Sequence, residues 1–223
     1  MNSHLLTWIG ASFLVTLVIC SISILFIDLP LLQYLNKHAK PVEPVFQVIT
    51  HIGDTRNWFL LSGSIFLSGI ACRYIPAIKN SNANNFIKIG GAALTALAAA
   101  GIVVHLLKFC FGRWRPVYYL EEQIYAFSPF TPSYYKMASL PSGHAQIMAT
   151  AMIMFLLFKP KLGRIMVPLV VLVAASRVVL NAHFLSDVVA GFWVGTAIPI
   201  LLLYGWNNYC NKKQKESWKF LEY

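Results

Sequence analysis

Eleven residues that could do chemistry fall into three short blocks: Lys108 with Arg115-Pro116 seven positions on, Pro141-Ser142-Gly143-His144, and Ser176-Arg177 followed by His183 and Asp187. Three cations, two imidazoles and one carboxylate are the equipment of a site that processes phosphate. The concentration is notable because the chain has only 18 Lys+Arg and 8 Asp+Glu among 223 residues, and the blocks stand at the ends of apolar runs.

Each block also has a plainer explanation. Lys108 and Arg115, on a continuous helix, would share a face two turns apart and converge on one anion, with Arg115 offering a planar fork and Lys108 a point charge. They equally suit the basic flank of a membrane span, and Arg113, which fits no motif position, is better explained that way. Pro116 stops that helix. Pro141-Ser142-Gly143-His144 precedes an apolar run as an ordinary helix start, with Ser142 as cap; the same free N–H groups bind anions, Gly143 permits close approach, and His144 could give a proton to a departing oxygen. If a helix has begun by His183, the four-residue spacing sets Asp187 beside the imidazole, fixing its tautomer and freeing the other nitrogen to attack. Taken alone, the block is slightly better explained by Asp187 complementing a helix amino end and His183 being an interfacial residue.

The elements that must position these residues are membrane helices. The chain is 57% hydrophobic with a mean hydropathy of +0.61, beyond what the core of a soluble 25 kDa domain needs. Six runs approach the length of a spanning helix: Leu5 to Ile27, Trp58 to Tyr74, Phe86 to Leu107, Ala145 to Phe158, Ile165 to Val179 and Val188 to Trp206. The expected fold is all-α and polytopic, six transmembrane helices in one bundle, with a single domain over 1–223 and a catalytic core at about 86–206. The first run has no basic segment before Leu5 and no convincing cleavage site, so it reads as an uncleaved anchor. Cys20, Cys72, Cys110 and Cys210 are scattered, which implies neither a disulfide framework nor a metal site.

Six spans put both termini on one side. That side carries ten Lys and Arg against eight on the other, three of which belong to the motif blocks. The bias makes the termini cytoplasmic and turns the three blocks to the periplasm or exterior. The formal net charge of +10 is then mostly a cytoplasmic-face property suited to anionic headgroups, and no aromatic-interleaved basic stripe supports nucleic-acid binding.

Together the blocks are more specific than any one. Lys-x6-Arg-Pro, Pro-Ser-Gly-His and Ser-Arg-x5-His-x3-Asp, in this order, resemble the type-2 phosphatidic acid phosphatase and vanadium haloperoxidase superfamily, in its bacterial integral-membrane lipid phosphatase branch. The resemblance implies that His183 is the nucleophile forming a phosphohistidine, that Asp187 orients it, and that His144 protonates the leaving group. It implies that Lys108, Arg115, Ser142, Gly143 and Arg177 hold the phosphoryl oxygens, without a metal or other cofactor. The implied partner is a phosphorylated lipid of the bilayer: undecaprenyl pyrophosphate, phosphatidic acid, phosphatidylglycerol phosphate or lipid A. A bacterial inner-membrane hydrolase of phosphoric monoesters or diphosphates follows. A vanadate haloperoxidase fits poorly, those relatives being soluble; a transporter fits poorly because the charges cluster at helix mouths instead of the bilayer midplane, and a non-catalytic lipid-binding relative is disfavoured by the intact nucleophile and acid positions.

Elsewhere, aromatic residues crowd 117–135, where they would anchor the protein at headgroup level or wall the substrate entrance as a lid. Asp28 to Phe46 reads as a surface loop or short amphipathic segment. Asp54 or Thr55 should cap the second span, with His51 structural. The small residues from Gly90 to Gly101 favour close helix packing.

Overall fold

The computed structural model describes residues 3–79, 81–131 and 135–212. Part of the aromatic segment (Pro132 and Tyr134) and the basic residues Lys213, Lys215 and Lys219 lie outside the described residues. Among the described residues there are helices and no strands: α1 Ser3–Ile22, α2 Asp28–His38, α3 Glu43–Thr50, α4 Thr55–Tyr74, α5 Ala83–Phe111, α6 Pro116–Glu122, α7 Gly143–Phe158, α8 Pro160–Val179 and α9 Leu185–Lys212.

Each apolar run of the sequence became a long helix. Four are long and apolar enough to cross a membrane, at His4–His38, Ala83–Phe111, Pro160–Val179 and Leu185–Cys210. Only 6% of the apolar window of the first is buried against protein. Trp8, Leu14, Val18, Leu25 and Phe26 point outward from it, as side chains solvated by lipid do and side chains in water do not. The other two runs fall short by composition or length: α4 carries Arg56, Asn57, Ser62, Ser64 and Ser68, and α7 has 16 residues. At 1.5 Å per residue α7 is about 24 Å long, less than a hydrocarbon core of roughly 30 Å.

Helix α7 sits at the centre. Met148, Ala151 and Met152 pack with Met166, Val170 and Val173 of α8, while Met154 meets Ala92 and Ala96 of α5 and Leu203 of α9. Small residues let these axes approach closely. A Cβ built on Gly90 would lie 2.5 Å from the Phe66 amide nitrogen of α4. The expectation of close packing therefore holds at Gly90, but not at Gly101, where a Cβ would meet nothing.

The Asp28 to Phe46 segment is not a surface loop. Through a π turn at Ser23–Ile27, α1 runs into α2, giving one helical rod to His38, and Asp28 and Leu32 are buried. α3 then packs against α8, which brings Thr50 and the turn His51–Gly53 to the motif end of the bundle.

Candidate active site

Four helix ends meet there. Lys108 lies in the last turn of α5, Gly143 opens α7, Arg177 lies in the last turn of α8, and Asp187 lies in the first turn of α9. Lys108 and Arg115 do not share a continuous helix. α5 stops at Gly112, whose φ of +55° is left-handed, and Arg115 precedes α6, with Pro116 as its first residue. The turn still brings both cations together, since Lys108 Nζ and Arg115 both donate to the Ala138 carbonyl. Arg115 is held further by the Tyr135 carbonyl at 2.9 Å and by that residue's ring, 4.0 Å from its guanidinium carbon.

Ser142 occupies the cap position of α7 without capping it. Its hydroxyl is buried and has no partner among the described residues, and the same is true of Arg177 Nε. A buried polar atom left unpaired in a native fold calls for an explanation. A Cβ on Gly143 would meet nothing, so the amide end of α7 opens onto space. That space is a cavity of ≈ 530 Å³ lined by Lys108, Arg115, Gly143, His144, Arg177 and His183. Phe59 and residues of α5 from Leu97 to His105, mostly apolar, also line it.

His183 precedes α9 instead of lying in it. The left-handed Asn181 turns the chain, and the amides of Ala182 and His183 both donate to the Arg177 carbonyl. Nδ1 of His183 faces Asp187 Oδ2 at 3.6 Å, longer than a hydrogen bond, and has no bonded partner. Burial pushes the His183 imidazole down to about 3; Arg115 and Lys108 add to this while Asp187 opposes it, and the ring is neutral at physiological pH. Oδ2 of Asp187 accepts the Phe184 amide at 2.8 Å, as a carboxylate complementing the start of α9 does, while the same oxygen faces His183 without bonding it.

Sequence reasoning missed what stands behind Asp187. Arg113 is no basic flank: it is 1% exposed and bridges two carboxylates, Asp187 Oδ1 at 2.6 Å and Asp28 Oδ2 at 2.8 Å. These carboxylates outweigh burial and raise the Arg113 pKa above its ordinary value. Ser139 donates to Asp187 at 2.5 Å, Ser186 links Arg113 to Asp28, and Tyr125 joins Arg113 to the Ile24 carbonyl. One signal was available, since Asp28 ends a long uncharged run, where a carboxylate is costly unless paired. The aromatic segment divides: Tyr125 and Phe127 lie against Arg113, whereas Tyr135 borders the cavity.

Among the described residues no group of three or more His, Cys, Asp or Glu is arranged to hold a metal ion. Residues 90–211, which contain all three motif blocks, match the PAP2 superfamily. The chain belongs to the PAP2 superfamily. The family expectation drawn from the blocks is correct. Similar proteins include a lipid A 1-phosphatase of Rhizobium johnstonii, 27% identical over 198 residues that cover 88% of this chain and 80% of that one. An undecaprenyl-diphosphatase of Sulfolobus acidocaldarius is 32% identical over 115 residues, 51% of this chain and 53% of that one. In fold, this PAP2 chain is similar to the transmembrane PAP2-type phosphatidylglycerolphosphate phosphatase of Bacillus subtilis, with TM-score 0.63 and 22% identity over 90% of this chain and 96% of that one. It is also similar to Aquifex aeolicus LpxE, with TM-score 0.57 and 20% identity over 80% and 95% of the two chains.

Within the PAP2 fold, α9 presses directly on the Ser142 peptide. A Cβ on Gly191 would stand 2.3 Å from the Ser142 carbonyl oxygen, so Gly191→Ala must push the serine block away from α9. Thermal unfolding in detergent should show a loss of about 1–3 kcal/mol. Phosphate release should fall by about tenfold or more, because displacing positioning groups by a fraction of an ångström is costly.

Proposed function

We propose that this membrane protein is a metal-independent lipid phosphatase that hydrolyses a phosphomonoester or pyrophosphate of an envelope lipid through a phosphohistidine. Nε2 of neutral His183, with Nδ1 turned to Asp187, attacks phosphorus. The bond to the leaving oxygen breaks, its electron pair stays on that oxygen, and His144 supplies the proton. Water then attacks phosphorus, giving a proton to the now neutral His144, while the P–Nε2 bond breaks with its electron pair returning to His183, and inorganic phosphate is released. Lys108, Arg115, Arg177, the Ser142 hydroxyl and the Gly143 amide hold the non-bridging oxygens, and charge placed in advance is the main contribution a protein makes to phosphoryl transfer.

The observation that carries this reading is the gathering of three cations and a neutral imidazole around one cavity, with Arg177 Nε buried and unpaired among them, the unpaired Ser142 hydroxyl next to the lining Gly143, and apolar residues such as Phe59, Leu97 and Ile102 completing the lining. Such a cavity suits a phosphate attached to an acyl or prenyl chain. With α4 and α7 counted as spans the bundle has six, and the Lys/Arg bias then favours cytoplasmic termini in the inner membrane and a site on the outer side. The long alignment with the Rhizobium lipid A 1-phosphatase is a reason to try lipid A first, ahead of undecaprenyl pyrophosphate, phosphatidic acid and phosphatidylglycerol phosphate.

Phosphate release by the purified protein in detergent, across those four lipids, tests the proposal. Release should persist in EDTA and be blocked by vanadate, which takes the geometry of a phosphoryl group in transfer. An absolute requirement for a divalent cation, or no release from any of the four, would overturn it.

A further inference from the structure

Asp54 lies outside all three motif blocks, yet its carboxylate faces the first histidine of the site. Oδ1 is 3.3 Å from His144 Nε2, and Oδ2 is 3.1 Å from His51 Nδ1. The approach is built into the backbone, since a Cβ on Gly53 would lie 2.9 Å from His144 Cδ2. Asp54 has the position of a cap for α4 but makes no cap bond with its side chain, contrary to the sequence expectation. The usual structural reason for an aspartate at a helix start is therefore missing here.

His144 has need of such a partner. Burial pushes its imidazole toward the neutral form, and Arg177 of α8 and Arg115 ahead of α6 press the same way; Asp54 is the group that opposes them. A residue that must deliver a proton has to be protonated before the bond breaks.

We propose that Asp54 is the positioning residue of His144: its carboxylate, steadied by His51, fixes the imidazole through Nε2–H and favours the imidazolium that protonates the leaving oxygen. Nδ1 is then the nitrogen from which the proton moves, as the P–O bond breaks and its electron pair goes to the departing oxygen. The inference rests on the phosphohydrolase reading above and adds to it the group that keeps the acid loaded.

Asp54→Asn is the direct test, because asparagine matches aspartate in size and in capping ability, so a purely structural role at the start of α4 would survive the change. Two substrates are compared in the full-length protein: a lipid phosphate, whose alkoxide must be protonated, and p-nitrophenyl phosphate, whose phenolate leaves without a proton. The expected result is a fall of about 100-fold in kcat for the lipid but less than about threefold for the aryl ester. A carboxylate raises the pKa of the histidine it faces, so its removal should move the alkaline limb of the lipid kcat profile to lower pH by about one unit. Asp54→Glu, which keeps the charge, should leave that limb in place. Equal losses on both substrates with an unmoved limb, or wild-type behaviour of Asp54→Asn, would overturn the inference. Failure of the wild-type protein to release phosphate from either substrate would instead overturn the reading on which it rests.

Discussion

His183→Ala is expected to lower lipid phosphate release by at least about 10³-fold in a preparation that remains folded, because it removes the only atom proposed to bond to phosphorus. The fold should tolerate it. His183 lies in a turn held by backbone bonds from Ala182 and His183 to the Arg177 carbonyl, and those bonds do not depend on the side chain. Mixing wild-type protein with lipid carrying labelled phosphate and quenching in alkali should retain label on the protein, since an N-phosphoryl bond survives base and is lost in acid. His183→Ala should retain none. Label held equally by wild type and variant, or full turnover by the variant, would remove His183 from the mechanism. Burial keeps the imidazole neutral, so its attacking lone pair is available across the physiological range and an acid limb of the rate profile should not belong to it.

Arg113→Met should be the most destabilising single change among the charged residues. Arg113 and Asp28 are almost wholly buried and Asp187 is fully so; removing the guanidinium leaves two carboxylates facing each other without a counter-charge. Breaking a buried pair in this way costs about 3–5 kcal/mol, enough to consume much of the stability of an ordinary domain. Activity should fall with it, because Asp187 loses the contact that sets its position beside His183. Adding Asp28→Asn to Arg113→Met removes one of the stranded charges and should recover part of the stability, measured by thermal unfolding in detergent. If Arg113→Met unfolds at the wild-type temperature, the guanidinium is not what joins the first helical rod to the site. The pair also gives the first rod a task beyond anchoring, for through Asp28 and the Ile24 carbonyl it braces the same network.

Much of this was legible in the residues alone. Every apolar run became a helix, because in a bilayer the backbone has no other partner for its polar groups and a run of uncharged residues has no better environment. The boundaries moved where chemistry intervened: the first helical rod runs on from α1 through Asp28 into α2, with that carboxylate paired to a buried arginine, and α5 ended at Gly112 before reaching Arg115. The family signature was legible from the order and spacing of the three blocks, and the structure brings Lys108, Gly143, Arg177 and Asp187 of those blocks to adjoining helix ends. Asp54 was read as a cap and Arg113 as a flank for one reason. Each pairs with a residue far along the chain, Asp54 with His144 and Arg113 with Asp28, 85 positions away, and no local periodicity encodes such a meeting.

The sequence by itself determined that this chain lives in a membrane and belongs with the PAP2 proteins, and it marked eight residues at the ends of apolar runs as candidates for the chemistry, because hydropathy and motif spacing are properties of neighbours. Only the tertiary structure decided what supports those eight. The shared Ala138 carbonyl, the unpaired Ser142 hydroxyl, the Arg113 bridge and the Asp54 contact all depend on how segments distant in sequence are stacked, and stacking is set by the close approach of small residues across helices.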